Sequence, residues 1–128
     1  MIKQQVLTSA APKPIGPYSQ GLRVGEFIFV SGQGPLDPAT GKIAGDTIEE
    51  QTRRVLENIK AILEAGGATM GDVVKSTVHL SDLELFSRFN GVYATYFPDP
   101  KPTRTTVGSQ LLGILVEIDV IAYIRNQK

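Results

Sequence analysis

The side chains best suited to chemistry lie in residues 102–118, where an arginine and a glutamate stand on two strand-like segments. The segments, 102–107 and 115–118, are rich in β-branched residues, and the connection between them contains two glycines. Strand side chains alternate between faces, so we expect the guanidinium of Arg104 and the carboxylate of Glu117 to meet on one sheet surface. Such a pair is either an ordinary ion pair or the polar part of a small-molecule site.

Most other kinds of catalytic site are disfavoured by the residues present. The chain has no cysteine, which excludes a thiolate nucleophile and a thiolate metal site. His79 is the only histidine, so a triad that uses Ser31 is disfavoured, and a lone histidine lacks the spacing of a metal site. The glycine-rich stretch 32–45 lacks the dinucleotide and phosphate-loop fingerprints, and it predicts turns.

Length and charge limit the fold and the partners. The 128 residues predict a single domain over 1–128, and 41% hydrophobic residues are enough for one core. Thirteen basic residues balance thirteen acidic ones without clustering, which disfavours a nucleic-acid partner. No apolar run is long enough to span a bilayer and the N-terminus is polar, so a cytoplasmic protein with no membrane partner is expected.

The hydrophobic pattern predicts six strands and two helices. Thr47 and Glu50 form a capping-box pattern before a helix that ends at Gly66, and Ser81 with Glu84 repeats the pattern before a second helix. In the strand 73–80, the pattern places Val74, Ser76, Val78 and Leu80 on one face, opposite Lys75, Thr77 and His79. The remaining strands are predicted at 2–7, 22–24, 27–31, 102–107 and 115–118.

The predicted strands carry more apolar residues than two helices can cover. Two amphipathic helices cover one face of a sheet, yet 27–30 and 118–121 are apolar on both faces. A symmetric oligomer that packs sheet against sheet is the simplest cover for the second face. It would place Arg104 and Glu117 near a subunit boundary.

Six ordered motifs give the chain a recognisable pattern: residues 16–20 (GPYSQ), 30–33 (VSGQ), 37–41 (DPATG), 90–97 with Asn90, Tyr93, Tyr96 and Phe97, 102–107 (PTRTTV) and 116–122 (VEIDVIA). With these motifs the chain resembles the RidA/YjgF family of reactive-intermediate deaminases over nearly its whole length. The resemblance implies an α+β, chorismate-mutase-like sandwich: a mixed six-stranded sheet with two helices on one face. It also implies a homotrimer, with the sheets packed inward and the clefts between subunits.

The resemblance further implies an activity in metabolite damage control. This is the hydrolysis of 2-imino acids and their enamine tautomers, such as 2-iminobutanoate and 2-iminopropanoate, to 2-keto acids and ammonia, with no cofactor and no metal. Arg104 would bind the carboxylate, Glu117 would orient the water, and the main-chain carbonyl of Thr106 would orient the water or the imine nitrogen. Residues implied to line the cleft are Tyr18, Ser31, Gly32, Phe86 and Asn90.

The sequence departs from the family pattern at two places. The position of Thr106 is often a cysteine in the family. The connection between Arg104 and Glu117 is about two residues shorter than usual and reads Gln110, Leu111, Leu112, Gly113. If the backbone oxygen of Thr106 is the atom that matters, the first departure is mild; if the cysteine thiol of other members shapes the pocket, its loss shifts substrate preference. The shorter connection predicts a change in the rim of the cleft.

Some of these residues also have ordinary structural interpretations. The ring of Tyr18 could simply pack at an interface. Asn90 lies inside a predicted helix, where asparagine is a mediocre choice, which favours a hydrogen-bonding role. Two alternative functions remain beside the enzyme: a non-catalytic protein that binds or senses keto acids, and a ribonuclease, which the neutral charge and single histidine disfavour.

Overall fold

The computed structural model describes residues 2–124. Its strands are β1 (Lys3–Val6), β2 (Gly21–Val24), β3 (Phe27–Gln33), β4 (Val73–Leu80), β5 (Thr103–Gly108) and β6 (Val116–Tyr123). Its helices are α1 (Ile48–Ala65) and α2 (Phe86–Tyr93), with short 3₁₀ helices at Met70–Asp72 and Leu83–Leu85. The predicted number and order of strands and helices are confirmed.

All six strands form one mixed sheet in the order β1-β2-β3-β6-β4-β5. The pairs β1–β2, β2–β3, β3–β6 and β4–β6 are antiparallel, whereas β4 and β5 run parallel. Strand β4 therefore lies between β5 and β6, although β5 and β6 are neighbours in sequence. The α+β architecture predicted for this chain is confirmed.

Helix α1 covers the central strands. The hydroxyl of Thr47 accepts a hydrogen bond from the backbone N–H of Glu50, and the Glu50 carboxylate reaches back to the backbone N–H of Thr47, as the capping box predicts. The apolar side of α1 includes Val55, Ile59 and Ile62, which are fully buried against the helix-covered face of the sheet. This burial of aliphatic side chains is the main stabilising contribution to the domain.

Helix α2 begins later than the sequence predicts. The side chain that caps this region is Asp82, which accepts from the backbone N–H of Glu84, and not Ser81. A 3₁₀ turn follows before α2 proper. A bidentate ion pair from Arg88 to Glu49, with nitrogen–oxygen distances of 2.8 and 2.7 Å, ties α2 to the first turn of α1. The hydrogen bonds from Arg88 lower the pKa of Glu49 to about 2.

The second face of the sheet carries no helix in residues 2–124. The aromatic rings of Phe27 and Phe29 lie there, with side chains 43% and 42% exposed. Val74 is also 44% exposed and was predicted on the wrong face, because a register shift between Val73 and Lys75 interrupts the alternation of β4. Within the described residues, neither helix is long and apolar enough to cross a membrane.

Candidate functional site

The structure contradicts the expectation that Arg104 and Glu117 meet on one sheet surface. Arg104 pairs with the buried Ser76 of β4, so its side chain leaves the sheet on the helix-covered side. Glu117 pairs with His79, so its side chain leaves on the open side. Paired residues share a face and successive residues alternate, and β4 separates the two strands. The single chain therefore presents the two groups on opposite faces.

Arg104 is held by aromatic rings of α2. Its guanidinium carbon lies 5.4 Å from the ring centroid of Phe86, 5.6 Å from that of Phe89 and 4.8 Å from that of Tyr93. Within residues 2–124 no carboxylate forms an ion pair with Arg104. A half-buried guanidinium held by ring faces keeps its N–H donors free for an anion.

The hydroxyl of Tyr93 lies in the layer beneath the guanidinium. It forms a 2.6 Å hydrogen bond with the hydroxyl of Ser76, and burial raises the pKa of Tyr93 although Ser76 and the charge of Arg104 act in the opposite direction. This bond fixes the ring on which Arg104 rests.

Two buried oxygens near Arg104 lack a partner among the described residues. They are Oδ1 of Asn90, one turn after Phe86 on α2, and Oγ1 of Thr106, two residues after Arg104 on β5. A buried polar atom without a partner is costly unless a ligand satisfies it. We call Phe86, Asn90, Arg104 and Thr106 the arginine half-site.

Glu117 borders a cavity of about 530 Å³ on the open side, which Tyr18 and Gly32 also line. Oε2 of Glu117 lies where a side chain at residue 32 would begin, since a Cβ on Gly32 would be 2.5 Å from it. Ser31 shares a smaller neighbouring hollow with Tyr18. We call Tyr18, Ser31, Gly32 and Glu117 the glutamate half-site.

Ser31 and Gln20 position the loop that carries Tyr18. The Ser31 hydroxyl donates a 2.6 Å hydrogen bond to the carbonyl of Ser19. The buried amide of Gln20 accepts from the N–H of Thr8 at 2.8 Å and donates to the carbonyl of Pro12 at 2.9 Å, which ties the two ends of this loop together. The role of Gln20 was missed, although it directly follows Tyr18 and Ser19 in the 16–20 motif.

Sequence reasoning also missed two buried amides of α1 that hold the loops around the cavity. Gln51 accepts from the N–H of Leu115 at 2.8 Å and donates to the carbonyl of Gly45 at 3.0 Å. Asn58 donates to the carbonyl of Leu36 at 2.9 Å. Both occupy positions where the helical period predicts an apolar residue. An amide at such a position indicates a buried hydrogen-bonding role, and this signal was present in the sequence.

The single histidine has a structural contact. Nδ1 of His79 on β4 forms a 2.7 Å hydrogen bond with the hydroxyl of Ser109. No group of three or more histidine or carboxylate side chains in residues 2–124 could hold a metal ion.

Fold and site together define a small α+β protein with a carboxylate-bordered cavity on one face of its sheet and a guanidinium on the other. The chain belongs to the endoribonuclease L-PSP family, whose model matches residues 8–124. It is 54% identical over 125 residues to a RutC family protein of Pyrococcus abyssi, covering 96% of this chain and 98% of that one.

A second relative carries the name that the sequence motifs suggest. The chain is 43% identical over 122 residues to Reactive Intermediate Deaminase A, chloroplastic, of Arabidopsis thaliana, covering 94% of this chain and 65% of that protein. Among solved structures, E. coli TdcF with bound serine has a TM-score of 0.89 and 39% identity, covering 95% of this chain and 99% of that one. The resemblance to the RidA/YjgF proteins is confirmed.

Proposed function

We propose that this protein hydrolyses reactive 2-imino acids and their enamine tautomers, such as 2-iminobutanoate and 2-iminopropanoate, to 2-keto acids and ammonia. Arg104 binds the substrate carboxylate, and Glu117 orients the attacking water. The proposed reaction uses neither a metal nor a cofactor, because an imine carbon is already electrophilic and needs only a positioned water and a proton acceptor.

The observation that carries the proposal is that the guanidinium of Arg104 is partly buried and has no carboxylate partner among the described residues. This guanidinium lies over three aromatic rings. A planar guanidinium binds a carboxylate through two parallel hydrogen bonds, and the surrounding rings strengthen the interaction by excluding water. The unpartnered oxygens of Asn90 and Thr106 add polar capacity beside it.

Because Arg104 and Glu117 leave the sheet on opposite faces, the proposal requires two copies of the chain at each site. In the proposed homotrimer, the arginine half-site of one copy faces the glutamate half-site of the next. The exposed rings of Phe27 and Phe29 support an assembly that covers the open face. Their centroids lie 6.3 Å apart, within one aromatic patch.

The reaction proceeds in two steps. The Glu117 carboxylate takes a proton from the water while the water oxygen bonds to the carbon of the protonated imine. The product of this step is a carbinolamine. Glu117 then passes that proton to the nitrogen and becomes a carboxylate again. It takes the proton of the hydroxyl as the C=O bond forms and the C–N bond breaks to release ammonia. The main-chain carbonyl of Thr106 accepts a hydrogen bond from the water or the imine nitrogen.

The remaining residues of the two half-sites shape the cleft. Asn90 offers Oδ1 to the ligand, and Phe86 supplies a ring face under the guanidinium. Tyr18 lies over the glutamate side, where its hydroxyl accepts a 3.2 Å hydrogen bond from the N–H of Ile15. Ser31 holds the loop that carries Tyr18 through its hydrogen bond to the carbonyl of Ser19. Gly32 leaves room for the carboxylate of Glu117.

A second candidate function is binding of small carboxylates without turnover. It is favoured by TdcF, a relative whose structure contains serine, an amino acid with the same carboxylate group. The ribonuclease activity in the family's description is disfavoured, because the structure engages the single histidine with Ser109. A cytoplasmic location stays a prediction, since one relative is chloroplastic.

The test couples the purified protein to a threonine dehydratase, which releases 2-iminobutanoate, in the presence of semicarbazide. Free imine is captured as the semicarbazone, so hydrolysis by the protein lowers semicarbazone yield and raises keto acid yield. We expect Arg104→Ala to lower kcat/KM about 100-fold, since it removes a charged bidentate contact. Arg53→Ala, an exposed arginine on α1, is the matched control and should behave as wild type.

Three results would be informative. Equal rates for wild type and a folded Arg104→Ala variant would contradict the deaminase proposal. Saturable keto acid binding without any acceleration would favour the non-catalytic function. Arg104→Lys keeps the positive charge but loses the planar guanidinium that donates two parallel hydrogen bonds. Partial activity in this variant would support recognition through paired hydrogen bonds.

A further inference from the structure

The cavity beside Glu117 is lined mostly by aliphatic side chains. Its volume is about 530 Å³, within the range of small-molecule sites. Glu117 is the only charged residue among its described lining residues. Its other polar side chains are those of Tyr18 and Gln110, and six aliphatic side chains form most of the remaining wall: Ile15, Leu36, Ile43, Leu111, Leu112 and Ile114.

The first aliphatic wall is a small, well-ordered hairpin. Leu36 and Ile43 form an antiparallel bridge, which brings both side chains to the cavity. The N–H of Asp37 donates to the carbonyl of Lys42 at 2.8 Å, and the Asp37 carboxylate accepts from the N–H of Ala39 at 2.7 Å. These bonds hold the wall without help from a ligand.

The second wall is the segment between β5 and β6, where the sequence departs from the family pattern. Gly113 has a φ of +77°, a backbone conformation that would be strained in a residue with a side chain. The chain turns toward the hairpin at this glycine. The two walls lie close together, since a Cβ built on Gly113 would lie 4.0 Å from Cδ1 of Ile43. Gln51 links the walls through Gly45 and Leu115.

We propose that this cavity binds the side chain of the imino acid and selects aliphatic side chains of three or four carbons over a methyl group. The inference rests on the proposed function, because it takes the imine carbon to lie at Glu117. A side chain that extends from that carbon enters the aliphatic part of the cavity. Leu112, 97% exposed, and Ile43 at the rim lose contact with water when such a group binds.

The charge of Glu117 further limits which substrate side chains the cavity can bind. A carboxylate side chain would approach Glu117 with no cation among the described lining residues to balance it. An ammonium side chain would pair with Glu117 and occupy the place of the water. Neutral aliphatic imines are therefore the class that fits. Each added methylene buried in an apolar pocket increases kcat/KM several-fold, so an isobutyl group should exceed methyl by about tenfold or more.

The test compares two imines made in situ by a D-amino-acid oxidase, 2-iminopropanoate from D-alanine and the isobutyl imine from D-leucine. The imine carbon is not chiral, so the D-amino acids give the relevant substrates. The ratio of kcat/KM, isobutyl over methyl, is measured for wild type, Ile43→Ser, Leu112→Ser and the control Leu7→Ser. Leu7 is 60% exposed and is not among the residues that line the cavity. Calorimetry with pyruvate and 4-methyl-2-oxopentanoate measures the same preference without turnover.

We expect the ratio to be about ten or more in wild type and Leu7→Ser, and to fall at least about threefold in each cavity variant. Hydrolysis of both imines at equal kcat/KM, with equal keto acid affinities, would overturn the inference and leave the proposed function standing. Tighter binding of 4-methyl-2-oxopentanoate without hydrolysis would support the cavity's selectivity and overturn the deaminase. Dissociation of Leu112→Ser on a sizing column would show a subunit contact there and overturn the inference.

Discussion

The position of Glu117 depends on a residue that has no side chain. A Cβ on Gly32 would lie 2.5 Å from Oε2 and 3.1 Å from Cδ of Glu117, closer than packed atoms allow. The glutamate therefore reaches its place only because residue 32 is glycine. The family motif names Gly32 as a cleft residue, but this reason for the glycine lies in the spacing of β3 and β6 and was not visible in the sequence.

Gly32→Ala should displace the carboxylate without unfolding the protein. Glu117 can rotate away, so we expect kcat for 2-iminobutanoate to fall about tenfold or more, with a small change in Tm. Gly91→Ala is the matched control, because nothing lies within 4 Å of a Cβ there. Since Gly91 is in α2, its substitution should stabilise the protein by about 0.5–1 kcal/mol. Unchanged kcat in Gly32→Ala would contradict a role for the position of Glu117.

At the scale of the elements, α1 both covers the sheet and fixes the loops of the cavity. Its buried aliphatic residues follow from helical periodicity, and its N-terminus follows from the capping box. Gln51 and Asn58 interrupt that periodicity because the loops 34–46 and 109–115 need partners for buried backbone groups. Those loops lie far from α1 in sequence, so only the folded chain reveals which groups the two amides satisfy.

Gln51→Leu tests this role of the helix. Leucine fits an apolar helix face, but it leaves the N–H of Leu115 and the carbonyl of Gly45 without their partner. We expect the free energy of unfolding to fall by about 2–4 kcal/mol, measured by urea denaturation, because two buried backbone groups lose a hydrogen bond. Gln4→Leu, on the exposed β1, is the control. A loss below about 0.5 kcal/mol would show that Gln51 does not hold the two loops.

At the scale of the whole molecule, the order of the strands decides what one chain can do. Local patterns predict where the strands lie, but they cannot reveal that β4 inserts between β5 and β6, since pairing depends on contacts distant in sequence. The register of β5 and β6 on β4, with Arg104 opposite Ser76 and Glu117 opposite His79, places Arg104 and Glu117 on opposite faces. A chain with both half-sites and an uncovered aromatic face is suited to assemble with copies of itself, and the proposed reaction depends on that assembly.

Complementation between inactive variants tests the shared site directly. Arg104→Ala and Glu117→Gln are each expected to be at least about 100-fold less active than wild type when expressed alone, because every site then lacks one group. Co-expressed with different tags and purified through both, mixed trimers would contain sites that take Arg104 from one chain and Glu117 from another. Random assembly makes such sites about a quarter of all sites, so the co-expressed pool should regain about a quarter of wild-type activity before tag selection. No recovery in verified mixed trimers would contradict a site built from two copies.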